Sequence, residues 1–458
     1  MNKIINCEPR PYQKRILDSL QYVSSIGLFL GTGAGKTLTS LMRFNQNPTT
    51  NLLVLCPSKV VDQWIDVIDS HTTLLNVVKY NNSWTAKKRY EAVVNAIKSC
   101  NKFNAIVFSL ESLKNVPSLK EYITEDWTII LDESHKIKSL GTKKSPVKTT
   151  KAVLDLKNCT NYKIILTATP TQKDKGGYID YYTQLDFLGY MDMSLEQFKS
   201  RYCVEKKIQV PGTPFPIKII VKYTDKVKEI EDILKLTCRR YVPSFTEVEP
   251  QHNKVLLTVP KSYKDLVKQR HYHDFDLRSL SSRRMALKTL CTGNTMGHDV
   301  FGNRMTYDDN TVKADWLEEF LTNTDDVVMV VYKYNVEKDT LVKVCEKLNK
   351  KYIVLDGAAK NKYDLINNQD YDVVIGQFNA CGESIDGLQY KCHICVFYCL
   401  PESSIEYKQT LGRINRDGQK YAVSYYYPML NNTIETKIWD MLQNKIDFDS
   451  KVLDNLVI

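Results

Sequence analysis

The sequence predicts an α/β protein: two parallel-sheet lobes in tandem with a mostly helical insertion between them. Three observations carry this. Residues 1–190 alternate short apolar runs with helical stretches, residues 311–458 do so again, and residues 191–310 lose the rhythm. Apolar runs that end in small or polar residues read as buried parallel strands joined by crossover helices. Their functional loops gather at the carboxyl ends of the strands.

In the first lobe the strand-like runs are SIGLFL, NLLVLCPS, FNAIVFS, DWTIILDES and YKIILTATP, with helical stretches such as VVDQWIDVIDS between them. The middle segment holds the Pro-rich VPGTPFPIK, the charged TDKVKEIEDILKLTCRR and the Arg-rich LRSLSSRRMALKTL, and reads as insertion plus linker. The second lobe resumes with DDVVMVVYK, KYIVLDG, YDVVIGQ, HICVFYCL and AVSYYYPM.

A chain of 458 residues is too long for one ordinary core and fits two or three domains. Its 43% hydrophobic and 25% charged residues are normal for a soluble globular protein. No apolar run reaches the length that spans a bilayer, and the opening MNKIINCEPRPYQ lacks the apolar core of a signal peptide. The 12 cysteines are scattered, so reduced thiols and a cytoplasmic location are expected, without membrane contact. The net charge of +10 permits a polyanionic partner but identifies none.

The motif GTGAGKT follows the strand-like GLFL. Backbone N–H groups of Gly31, Thr32, Gly33, Ala34 and Gly35 can wrap the phosphates of a nucleotide, Lys36 neutralises β/γ charge, and Thr37 can ligate Mg²⁺. The strict pattern wants glycine where Leu30 stands. Asp132 and Glu133 end the strand of IILDESH, where one carboxylate can hold the metal and its neighbour can polarise the attacking water. His135, in the same loop, and Thr167 and Thr169, in TATP, are candidates for coupling the nucleotide site to the next strand. Gln13, in RPYQKRILDSL, has the donors and acceptor to read an adenine edge, with Tyr12 or Arg10 against the base; taken alone, it reads as a surface glutamine. In QTLGRINRDGQ, Arg413 and Arg416 are spaced one helical turn apart.

With these motifs in order, the chain resembles superfamily 2 helicases and translocases, and among them the Swi/Snf-like ATPases with a DEAH-type box. CPSKVVDQW resembles motif Ia with Trp64 at the usual place, VVMVVYKYNVEKDTL motif IV, ACGESIDGLQ motif V and QTLGRINRDGQ motif VI. The resemblance implies tandem RecA-like lobes, with an ATP-binding lobe at 1–190 and a helicase C-terminal lobe at 311–458. It implies ATP hydrolysis with Mg²⁺, Lys36 and Glu133 as catalytic groups, Asp132 and Thr37 as metal ligands, and Arg413 and Arg416 as arginine fingers at the γ-phosphate. Cations on the transferring phosphoryl stabilise its transition state by several orders of magnitude in rate.

Such motors hold nucleic acid by its phosphates. The candidates are Ser58 and Lys59 in motif Ia, Ser109, and Gly382 and Ser384 in motif V. The lysine-rich KIKSLGTKKSPVKTTK reads equally as a DNA contact or a solvated loop. Cys392, His393, Cys395 and Cys399 invite a zinc reading, but KCHICVFYC reads better as a buried thiol-rich strand. The expected function is a monomeric, ATP-driven motor on duplex DNA, in replication or recombination and with partners from those processes. The AT-biased composition suits a phage, which would place the protein in the host cytoplasm. A nucleotide-switched adaptor with little turnover and an RNA helicase stay open, and no wedge for parting strands is legible.

Overall fold

The computed structural model describes residues 5–72, 76–78, 85, 87–88, 91, 94–95, 104–141, 145–171, 177–208, 217–242, 248–268, 271–277, 279–299, 301–359, 362–381 and 387–444. The chain divides into two compact units, Met1–Pro243 and Ser244–Ile458.

The first unit opens with α1 (Pro11–Ser19), β1 (Ile26–Leu30), α2 (Lys36–Gln46), β2 (Asn51–Cys56) and α3 (Val61–His71). Strands β3 (Asn76–Val78), β4 (Asn104–Ser109), β5 (Trp127–Leu131) and β6 (Tyr162–Leu166) follow, then the antiparallel pair β7 (Cys203–Ile208) and β8 (Ile217–Tyr223), and finally β9 (Cys238–Tyr241). Seven of these strands form one parallel sheet in the order β3-β4-β2-β5-β6-β1-β9. Both faces are covered, which is why the strands are continuously apolar. Leu53, Leu55, Ile129 and Leu131 enter one core, while their neighbours Leu52, Val54 and Ile130 enter the core opposite.

The second unit holds β10 (Gln251–Leu257), the short hairpin β11 (His271–Tyr272) and β12 (Phe275–Asp276), and the hairpin β13 (Asn294–His298) and β14 (Arg304–Asp308). Strands β15 (Val327–Tyr332), β16 (Tyr352–Leu355), β17 (Val373–Gln377), β18 (Cys392–Phe397) and β19 (Ser424–Leu430) complete it. Its six-stranded parallel sheet runs β10-β19-β18-β15-β17-β16, again between two cores. Two RecA-like parallel-sheet lobes in tandem are therefore the architecture.

The segment 191–310 differs from the expected helical insertion, being shared between the units. Its first part supplies the helices Leu195–Tyr202 and Lys228–Thr237 with β7, β8 and the sheet strand β9, and its second supplies β10, two hairpins and the helices Lys261–Lys268 and Leu280–Cys291. The edge strands escaped the sequence reading because β9 (CRRY) is four residues with one buried position and β10 (QHNKVLL) alternates with one side exposed, unlike the buried central strands. Among the described residues no helix is long and apolar enough to cross a membrane.

Candidate functional site: the phosphate loop and its acid pair

The phosphate loop leaves β1, a fully buried strand, and enters α2 at Lys36. Its ends are fixed by hydrogen bonds. The N–H of Gly31 donates to the Tyr241 carbonyl on β9 (2.8 Å), and the N–H of Ala34 donates to Gly31 O (3.2 Å). Gly33 (φ 77°) and Gly35 (φ 64°) hold left-handed backbone that side-chain-bearing residues resist. An added Cβ on Gly35 would also stand 3.0 Å from Gln13 Nε2.

Gln13 is buried rather than offered to a base. Its Nε2 donates to Thr39 Oγ1 (2.8 Å) on α2, and its Oε1 accepts the Arg10 N–H (2.9 Å), closing the N-terminus of α1. Tyr12 stacks on Tyr241 (centroids 4.4 Å apart) and donates its hydroxyl hydrogen to Ala34 O (3.0 Å). In this structure both residues brace the loop, a role that spacing alone does not reveal.

Asp132 and Glu133 follow β5. The Asp132 Oδ2 accepts the indole N–H of Trp64 (2.9 Å), and its Oδ1 accepts the Glu133 N–H (2.9 Å). Glu133 sits at φ 50°, a left-handed conformation that costs a non-glycine about 1–2 kcal/mol. His135 Nδ1 lies 3.1 Å from Glu133 Oε2 and 3.0 Å from Thr167 Oγ1, and Thr167 Oγ1 accepts the Thr169 N–H (3.0 Å). The Thr167 N–H donates to Leu28 O (3.3 Å), tying this chain back to β1. Ser134 donates to Gln184 Oε1 (2.7 Å), whose Nε2 donates to Pro170 O (2.9 Å), so a second link joins the acid loop to TATP.

The two neighbouring acids titrate apart. Burial first, then the Glu133 charge, pushes the Asp132 carboxyl up to about 6, against the Trp64 N–H and Lys36. Burial would also raise Glu133, but the His135 hydrogen bond and the charges of His135, Lys36 and Lys136 outweigh it and hold Glu133 below the usual carboxylate range.

The other expected site residues fare differently. Ser58 and Lys59 form a short 3₁₀ turn at the carboxyl end of β2, and the Ser58 N–H donates to Glu111 Oε2 (3.0 Å). Ser109 is buried, capping the turn Leu110–Leu113 by accepting the Ser112 N–H (3.3 Å), so its side chain is not presented to a ligand. Gly382 and Ser384 lie outside the described residues.

Arg413 and Arg416 stand beyond a helix that ends at Leu411, in a run of turns rather than on a helix face. Arg413 is buried and Arg416 half-buried. What shapes these turns is the trailing Gly-Gln. Gly418 takes φ 87° with its α-carbon packed against the Tyr390 ring. Buried Gln419 donates from Nε2 to Cys392 O and Ile414 O (both 2.9 Å), and its Oε1 accepts the N–H groups of Lys420 (2.9 Å) and Tyr421 (3.0 Å). The cysteines of KCHICVFYC lie in and just beyond the buried strand β18.

The model of the SNF2-related domain matches residues 17–303, more than half of the chain. The chain belongs to the SNF2-related family. It is 23% identical over 449 residues to putative protein p41 of Acyrthosiphon pisum secondary endosymbiont phage 1, covering 90% of each. It is also 22% identical over 440 residues to the DNA repair and recombination protein RDH54 of Saccharomyces cerevisiae, covering 88% of this chain but only 46% of that one. The chain therefore spans under half the length of that yeast relative. Among solved structures, the Pyrococcus furiosus Hef helicase domain shares the fold, with a TM-score of 0.51 at 15% identity over 94% of this chain and 97% of that one.

As an SNF2-related chain it carries a helicase-like ATPase core, which implies the use of ATP. A divalent cation suits the donor set. Two adjacent half-buried acids lie near Lys36, and burial together with the Glu133 charge raises the Asp132 carboxyl, so a cation there would favour its ionised form. Thr37 and Asp132 would hold such a cation, which would supply positive charge to the phosphates.

Proposed function

We propose that this chain is an ATP-driven motor that moves on duplex DNA and remodels or unwinds it in replication or recombination. The observation that carries the reading is the continuous chain Glu133–His135–Thr167–Thr169 at the carboxyl edge of the first sheet, closed onto the strand that feeds the phosphate loop. Glu133, kept ionised, orients and polarises the attacking water, and Lys36 carries phosphate charge. His135 and Thr167 pass any change at Glu133 to the TATP loop. Arg413 and Arg416, in the role the family resemblance implies, supply positive charge to the γ-phosphate, and each hydrolysis steps the motor along the phosphate backbone. The DNA repair and recombination name of the yeast relative supports DNA as the track.

The test is ATP turnover with and without duplex DNA. Stimulation by DNA that disappears in Glu133→Gln, with nucleotide binding retained, is the expected result. Turnover that ignores DNA, or that survives Glu133→Gln, rules the motor out. Arg413→Ala should leave nucleotide binding intact while removing turnover.

A further inference from the structure

The first unit carries an apolar cleft that the ATPase chemistry does not use. It opens between the turns Leu110–Leu113 and Pro117–Glu121 on one side and the helix Lys148–Leu154 on the other. Leu113, Val116, Leu119 and Leu156 form its floor; all are buried and belong to one core of the sheet. The volume is about 180 Å³.

The rim has the opposite character. Lys114, Lys120, Lys148 and Lys151 line the opening, all exposed, and Asp155 is the only acid lining it among the described residues. Among the described residues none of the four ammonium groups makes an ion pair or a hydrogen bond. Other lysines of this unit do find acids: Lys157 reaches Asp186 (2.7 Å) and Lys235 reaches Asp232 (3.4 Å). One unpaired lysine is ordinary on a surface. Four around one apolar opening repel one another and gain nothing for the fold, so their charge is available to a partner.

Floor and rim together select the occupant. The volume falls below the roughly 300–1,000 Å³ of small-molecule sites, but it takes a large apolar side chain. A nucleic-acid backbone would use the lysines and leave the apolar floor without a purpose, because phosphates are held by charge. An acidic peptide with an apolar anchor uses both, since a buried anchor supplies affinity and complementary charge supplies steering and register.

We propose that this cleft docks an acidic peptide segment of a partner protein, with a large apolar side chain on the floor and carboxylates on the four lysines. None of these residues takes part in the nucleotide chemistry, so such docking stands or falls apart from the motor reading. The test is fluorescence anisotropy with the full chain and three labelled peptides. One is Asp- and Glu-rich around a central Phe-Leu, the second has Ala-Ala in place of that pair, and the third has Lys in place of the acids. The first should bind about tenfold more tightly than the others or better. Ala152→Trp, which fills the cleft from its half-buried wall, should weaken it about tenfold or more. The double variant Lys114→Glu, Lys120→Glu reverses part of the rim without touching the core and should do the same. Both variants should keep the melting temperature, ATP turnover and duplex affinity. Docking is overturned if the first peptide does not bind at millimolar concentration, if all three bind alike, or if neither variant weakens it. Variants that lose duplex affinity while peptide binding holds assign the lysines to nucleic acid and overturn it too.

Discussion

Both units place acids at the carboxyl edge of their sheets, half-buried in the first and fully buried in the second. In the first, Asp132 and Glu133 are adjacent acids near one lysine, and the like charge helps to lift Asp132 to about 6. In the second, buried acids are matched by donors. Glu337 accepts from two backbone N–H groups, Thr292 and Cys399, while Glu435 accepts from Lys313 Nζ (2.5 Å) and the Leu430 N–H (3.1 Å). Burial still lifts the Glu435 carboxyl above its ordinary value, so Lys313 is what opposes that pull. The lesson is that a fully buried acid held by donors of its own unit serves the fold, whereas a half-buried acid pair beside a phosphate loop is placed to take a ligand.

The sharpest way to break this comparison is at Glu133. Glu133→Gln should lower kcat by about 10²–10⁴-fold, or roughly 3–5 kcal/mol of barrier, while the melting curve barely moves. Lys313→Met should do the reverse in the second unit. It strands Glu435 and the Tyr398 carbonyl, which accepts from Lys313 Nζ at 2.7 Å, and should cost about 3–5 kcal/mol in denaturant unfolding. If Lys313→Met is neutral, the matching argument fails.

Smaller effects sharpen it. Gln419→Ala removes the staple beneath the Arg413–Arg416 turns and should cost about 2–3 kcal/mol, with a loss of turnover beyond any loss of folded protein. Trp64→Phe keeps the packing but takes the N–H from Asp132; a loss of about 1.5–3 kcal/mol for a hydrogen bond to a charged group is expected in stability, with weaker Mg²⁺-nucleotide binding. Asp132→Asn should change stability least, within about 1 kcal/mol, because relief of the acid pair offsets one lost acceptor, yet it should abolish Mg²⁺-dependent turnover. A large destabilisation there would show the acid pair to be structural.

Much of the site was legible because its chemistry is local. Seven consecutive residues make the phosphate loop, and Asp132, Glu133 and His135 share one turn after a strand. The intramolecular partners of Gln13 and Ser109 were not legible because a polar side chain's partner is not written beside it. Each satisfies a helix terminus or a neighbouring element instead. Trp64 could have been given its role from one signal: a buried indole needs an acceptor for its N–H.

The sequence by itself determined the two α/β lobes, their apolar strands, the nucleotide loop and the acid pair, since burial on both faces and phosphate chemistry each leave a contiguous mark. Only the tertiary structure decided that 238–241 and 251–257 complete the sheets and that Gln419 shapes the arginine turns. Those features depend on which distant surfaces meet. Cys238 pairs with Gly27 and Gln251 with Ser424 across more than a hundred residues, and packing rather than local pattern selects such partners.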